Sequence, residues 1–128
     1  MNFPAQPPIP PTLLGGRKDD LGKPQISMIP YAALKEEAAV MMFGAAKYGR
    51  DNWRKGMDYT RLIDASLRHI LAYANGQNID TESGKSHLAH ARCCLAMLIA
   101  YEHDALGHDD RPRNPSYPSL KQPESGSS

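Results

Sequence analysis

The sequence holds only two cysteines, Cys93 and Cys94, and they are neighbours. Adjacent side chains on a helix point in different directions, so the pair makes a poor disulfide and a reducing compartment fits. Charge of one sign is missing as well. With 15 Lys and Arg against 14 Asp and Glu, the formal net charge is +1, which removes the broad basic footprint of a protein that binds a nucleic acid polymer. No apolar run reaches the length of a membrane span, and no basic segment followed by an apolar stretch opens the chain. A soluble, cytoplasmic protein is expected. Absent too are a Walker-type glycine loop, a nucleophile elbow, zinc-finger spacing, an alternating strand pattern and any internal repeat.

What remains is helix. Pro30, suited to an early helical position, opens a predicted helix that runs to about Tyr48 before Gly49. A second is expected from about Thr60 to Asn75, closed by Gly76, and a third from about Ser83 to Leu106. Residues 1–11 are dominated by proline and 114–128 by proline, serine and other polar residues, so both ends read as extended arms. The organisation expected is a Pro-rich arm and flexible basic segment over 1–25, an all-α domain over 26–106, and a tail over 107–128. A small helical bundle of this size buries a modest core, so its apolar faces are expected to be completed by a second copy in a dimer or tetramer.

Chemistry concentrates in Asp80-Thr81-Glu82-Ser83-Gly84-Lys85-Ser86-His87-Leu88-Ala89-His90-Ala91. His87 and His90 are three apart, which places both on one face of a helix. Two carboxylates and two imidazoles beside an apolar face suit a divalent cation. The alternative is structural: Asp80 as a helix N-cap, Glu82 set against the helix dipole, and two histidines satisfied in a core.

On the first helix Leu34, Ala38, Met41, Ala45 and Tyr48 form an apolar stripe, with Glu37 at its edge and Glu36 on the opposite side. An acid at the edge of a buried stripe is costly unless paired or metal-bound, so Glu37 stands out. On the second, Leu62, Ala65, His69 and Tyr73 share a face. Asp64 and Arg68, four apart with the acid first, read as an ordinary helix ion pair. The cations Arg50, Arg54, Lys55 and Arg61 cluster around Trp53, which suits a small phosphate-bearing ligand; Trp53 itself is either a packing anchor or a stacking surface.

Taken in order, Phe43-Gly44-Ala45-Ala46-Lys47-Tyr48-Gly49, Asn52-Trp53, Arg68-His69, Asp80-Thr81-Glu82-Ser83-Gly84 and His87-Leu88-Ala89-His90-Ala91 resemble a phage family of dATP/dGTP diphosphohydrolases, related to the MazG-like all-α nucleoside triphosphate pyrophosphatases. The resemblance spans roughly Lys18 to Leu106. It implies an oligomeric helical enzyme that uses Mg²⁺ or Mn²⁺ to hydrolyse a purine deoxynucleoside triphosphate between the α and β phosphates. The expected substrate is dGTP or dATP, with dGTP slightly preferred, and the setting is a phage reshaping a nucleotide pool.

The MazG-like group holds its metals with an E-x-x-E pair and an E-x-x-D pair. Here Glu36 and Glu37 are followed by Ala39 and Val40, so the first pair lacks its second acid, and His87-Leu88-Ala89-His90 stands where E-x-x-D would be. The resulting metal candidates are Glu36, Glu37, Asp80, Glu82, His87 and His90. Imidazole ligation would favour Mn²⁺ over Mg²⁺. Glu37 or Glu82 is the expected general base. Lys47, Arg50, Arg68 and the loop residues Lys18 and Lys23 are the candidate phosphate ligands, and Asn52 and Trp53 the candidate base contacts. Two rivals stand beside this reading: an HD-type triphosphohydrolase, for which only His103-Asp104 and His108-Asp109 supply the dipeptide, and a non-enzymatic helical module.

Overall fold

The computed structural model describes residues 15–118. The Pro-rich arm expected over 1–11 and most of the Ser-rich tail lie outside the described residues. Within them are three α-helices and no strand: α1 (Tyr31–Tyr48), α2 (Tyr59–Ala74) and α3 (His87–Asp104). Short 3-10 turns at Ile26–Met28 and Asn52–Lys55 precede α1 and α2. None of the described helices is long and apolar enough to cross a membrane.

Pro30 stands at the N-cap of α1, and Gly49, at φ 95°, ends it with its N–H on Ala45 O at 2.8 Å. At the end of α2, Gly76 adopts φ 95°. Its N–H bonds Tyr73 O and that of Gln77 bonds Ala72 O, both at 3.0 Å, the paired bonds of a Schellman stop. The third helix starts later than its expected position at Ser83. Ser86, not Asp80, is its cap, the hydroxyl accepting from Leu88 N at 3.1 Å and Ala89 N at 3.3 Å. Residues before it close a turn instead, with Ile79 and Ser86 bridged antiparallel and Asp80 N bonded to Lys85 O at 2.8 Å.

α3 packs on both other helices, most extensively on α2. Val40, Ala89 and Cys93 are buried between α1 and α3; Tyr59, Leu62 and Tyr101 are buried between α2 and α3. Tyr101 is fully buried, its ring stacked with Trp53 at 6.0 Å and Tyr59 at 6.1 Å, and its hydroxyl donates to Trp53 O at 2.5 Å. Residues beyond the domain boundary expected at 106 dock onto this end. Tyr59 N bonds His108 O at 2.9 Å, and Asp110 accepts from both the backbone N–H and the hydroxyl of Thr60, capping α2 from a distance in sequence. The crossing is tight: a Cβ on Gly107, at φ 71°, would lie 2.6 Å from Met57 O, and one on Gly56, at φ 93°, 2.8 Å from Gly107 N.

Two expectations for helix faces change. The α1 stripe of Leu34, Ala38 and Tyr48 is exposed in the single chain, and the side turned to α3 centres on Val40, with Glu37 and Met41 part-buried. α1 is apolar on most of its circumference, so periodicity alone leaves its rotation open. The ion pairs among the described residues do not include Asp64 with Arg68; both are exposed on α2.

Candidate functional site

The turn before α3, the start of α3 and the facing side of α2 bring five polar side chains together, those of His69, Asp80, Ser83, His87 and His90. Asp80 Oδ2 accepts from Ser83 N at 2.9 Å, which fixes the carboxylate inside its own turn. His87 enters from the first residue of α3, and its Nδ1 lies 2.9 Å from Nδ1 of His69 on α2. His90, one turn on, stacks on His69 with ring centroids 4.4 Å apart and planes 11° apart. Its Nε2 meets Ser83 Oγ at 2.6 Å and lies 3.7 Å from Asp80 Oδ2.

The electrostatics keep the cluster ready for a cation. Burial pushes the His69 imidazole below its ordinary range, and His90, His87 and Arg68 add to that against a partial pull from Asp80. Burial likewise lowers His90, with His87 acting in the same direction and Asp80 and Glu82 opposing. Burial alone would raise Asp80, but the backbone and hydroxyl of Ser83, with the imidazoles of His90 and His69, hold it below the usual carboxylate range. Near pH 7 these are neutral imidazoles and an ionised carboxylate, the protonation states that ligate.

Donor atoms of His69, Asp80 and His87 all lie within 4.8 Å of one another. Around one ion with ligand bonds of about 2.1 Å, adjacent donors sit about 3 Å apart, so a divalent cation fits with small side-chain adjustments. Two nitrogens with one carboxylate suit Mn²⁺, Co²⁺ or Zn²⁺ better than Mg²⁺. Burial pushes the Cys93 thiol up to about 12, which keeps it protonated and outside this chemistry.

His90 is also where the cluster meets a cleft of about 570 Å³ between α1, α3 and the 49–57 connection. Lys47, Arg50, Asn52, Trp53, Lys55 and Arg61 contribute to its walls, and the volume is in the range of small-ligand sites. Lys47 reaches across to Glu82 with Nζ–Oε1 at 2.5 Å, joining the end of α1 to the turn that carries Asp80.

The candidates drawn from the sequence therefore separate. Asp80, His87 and His90 come together; Lys47, Arg50, Asn52 and Trp53 line the adjoining cleft; Glu82 is tied to Lys47. Glu37 is not in the cluster: its carboxylate is held by Arg92 Nε at 3.0 Å and borders a second cleft. Glu36 is exposed, as are Lys18, Lys23 and Arg68, of which Arg68 stands next to His69 in sequence. Trp53 is a packing anchor on Tyr101 and a cleft wall at once. Sequence reasoning missed His69 as a site residue, and its signal was a lone imidazole on the otherwise apolar face of Leu62 and Ala65.

The sequence profile of a family described as dATP/dGTP diphosphohydrolase, N-terminal, matches residues 15–111. The chain belongs to this family. A dATP/dGTP diphosphohydrolase of Salmonella phage PMBT28 is 35% identical over 107 residues, which is 84% of this chain and 37% of that protein. The chain thus spans little more than a third of that relative's length. No solved structure matches it. The span shared with the dATP/dGTP diphosphohydrolase family takes in the histidine cluster, both clefts and the docked residues 107–111.

The HD dipeptides stand apart from the cluster. His103 pairs with Asp104 at 2.9 Å at the opposite end of α3, and His108 with Asp58 at 3.2 Å, both exposed.

Proposed function

We propose that this chain is a metal-dependent nucleotide diphosphohydrolase that converts a purine deoxynucleoside triphosphate, dGTP or dATP, to its monophosphate and pyrophosphate. The observation that carries the reading is the meeting of the cationic cleft with the histidine–aspartate cluster at His90. The name of the phage relative, a dATP/dGTP diphosphohydrolase, supports the substrate class.

In this reading His69, Asp80 and His87 hold a divalent ion, with Mn²⁺ preferred to Mg²⁺. Once bound, the ion supplies neutralisation of phosphoryl oxygens and lowers the pKa of a water. Lys47, Arg50, Lys55 and Arg61 hold the polyphosphate and the departing pyrophosphate. When phosphates draw Lys47, the Glu82 carboxylate is released and takes the proton from the water whose oxygen bonds to the α-phosphorus; the bond from that phosphorus to the bridging oxygen breaks. Asn52 and Trp53 border the nucleoside, and the segment with Lys18 and Lys23 closes over the phosphates.

Association into a dimer or tetramer belongs to the same proposal. It is supported by apolar side chains left open on all three helices, such as Tyr31 at 75%, Leu71 at 65% and Ile99 at 65% exposure. A particle of 14.1 kDa in sedimentation would remove it.

Incubation of the full chain with each of the four dNTPs and Mn²⁺, with chromatography of nucleotides and detection of pyrophosphate, tests the reaction. Monophosphate and pyrophosphate from a purine substrate are expected. Nucleoside and triphosphate would transfer the chain to the HD-type chemistry. No turnover by folded, metal-loaded protein would leave a binding module. Mg²⁺ equalling Mn²⁺ across a titration would count against histidine ligation.

A further inference from the structure

Of the cleft beside Glu37, only Arg50 and Trp53 enter the chemistry above. This cleft opens over about 600 Å³ nearer the start of α1 and is lined by Leu34, Ala38, Met41 and Met42, with Asp51 and Arg54 from the connection after α1. The α1 stripe that periodicity marks as core is therefore the wall of an open slot. Of the slot's two carboxylates, Asp51 is exposed and paired with Arg54 Nε at 3.0 Å, whereas Glu37 is only 18% exposed and its Oε1 takes Arg92 Nε at 3.0 Å. Among the described residues no hydrogen-bond donor meets Oε2. An ionised carboxylate is acceptor-only, and a part-buried one with spare lone pairs beside an apolar wall wants a ligand that presents donors.

We propose that this slot takes the base of the nucleotide and that Glu37 selects guanine. The Watson–Crick edge of guanine carries two adjacent donors, N1–H and the 2-amino group, which match the two oxygens of a carboxylate. Adenine offers one donor beside the N1 lone pair, cytosine one beside N3, and thymine one between two carbonyls, so each would set an acceptor against Glu37. Arg92 is the positioning residue that fixes the carboxylate plane.

The two clefts share Met41, Ala45, Arg50 and Trp53, so one ligand can lie across both. Along α1, Glu37 and Lys47 are about 15 Å apart at about 1.5 Å rise per residue, a span that an extended nucleoside triphosphate covers. The assignment rests on the diphosphohydrolase reading for the placement of the phosphates and adds what that reading leaves open, the choice between the two purines.

The test is calorimetric titration of the full chain with dGTP, dITP and dATP in EDTA, where the readout is binding and not turnover. Because dITP lacks only the 2-amino group, wild-type protein is expected to bind dGTP about tenfold more tightly than dITP, in the range of one good bidentate base contact, and dATP more weakly than dGTP. Glu37→Gln, checked for fold by circular dichroism, is expected to bind dGTP and dITP equally. Equal binding of dGTP and dITP by the wild type, which involves no substitution, overturns the assignment, as does a dGTP preference that survives in Glu37→Gln. A preference for dGTP in a chain without turnover keeps the guanine slot and removes the diphosphohydrolase reading. Turnover without the preference does the reverse.

Discussion

At one end of the α2–α3 interface Tyr59, Leu62 and Tyr101 are buried among apolar neighbours, while at the other His69, His87 and His90 occupy the equivalent ground with Asp80. The aromatic end is fixed by shape and by direction: stacked rings, a hydroxyl on Trp53 O, and a glycine crossing with no room for a Cβ. The histidine end is held by hydrogen bonds and ring contacts, and burial lowers the His69 and His90 imidazoles below their ordinary range. Apolar side chains of similar volume would close that second end at no greater cost, because buried polar groups are at best neutral substitutes for well-packed hydrophobes. One helix pair is thus closed by apolar packing at one end and by a polar cluster, the cation site of the proposed function, at the other.

Substitutions at the two ends should separate these roles. The largest effect is expected at the crossing. Gly107→Val sets a branched side chain against Met57 O and the Tyr101 ring at a left-handed backbone, and should lower stability by roughly 4 kcal/mol or more, read from urea unfolding. His69→Leu should do the opposite: lose about 100-fold or more in Mn²⁺ affinity by calorimetry while changing stability by less than about 1 kcal/mol. A large loss of stability in His69→Leu would erase the contrast.

Tyr101→Phe removes only the hydroxyl donated to Trp53 O, and should cost about 1 kcal/mol with Mn²⁺ binding unchanged. Acid should reach the ends unequally. The folded state holds His69 and His90 below the ordinary histidine range, so it binds fewer protons than the unfolded chain; their contribution is complete above about pH 6.5 and falls as pH drops through and below that value. Asp80, also lowered, withdraws its share in the same direction near and below pH 3.8. Hydrogen exchange should show residues 80–90 losing protection at a higher pH than 101–111; simultaneous loss would mean that the two ends are one cooperative unit.

Much of this was legible in the sequence, for identifiable reasons. Pro30, Gly49 and Gly76 punctuate α1 and α2 locally, so their limits fall within a residue or so of expectation. The start of α3 is not legible locally, because both Asp80 and Ser86 are good caps and only the Ile79–Ser86 bridge decides between them. His87 and His90 announce each other at a spacing of three, whereas His69 joins them from another helix, a tertiary fact with no local signature. The docked strap was hidden for the same reason, since Asp110 caps Thr60 across fifty positions. Glu37 stands out in the sequence as an acid at the margin of a stripe, but its partner Arg92 lies on a helix whose rotation against α1 no periodicity fixes.

The 2.9 Å approach of His69 Nδ1 to His87 Nδ1 leaves room for one hydrogen between two like atoms. In the neutral pair one ring must therefore be the Nδ1–H tautomer and the other the Nε2–H tautomer. Two residues of the same kind are thereby made chemically unlike at rest, and ¹⁵N spectra of the imidazoles should resolve them as a protonated and an unprotonated Nδ1. A cation that takes both nitrogens must first make the two rings alike, and the merging of their signals into one tautomeric pattern would report its arrival without any nucleotide present.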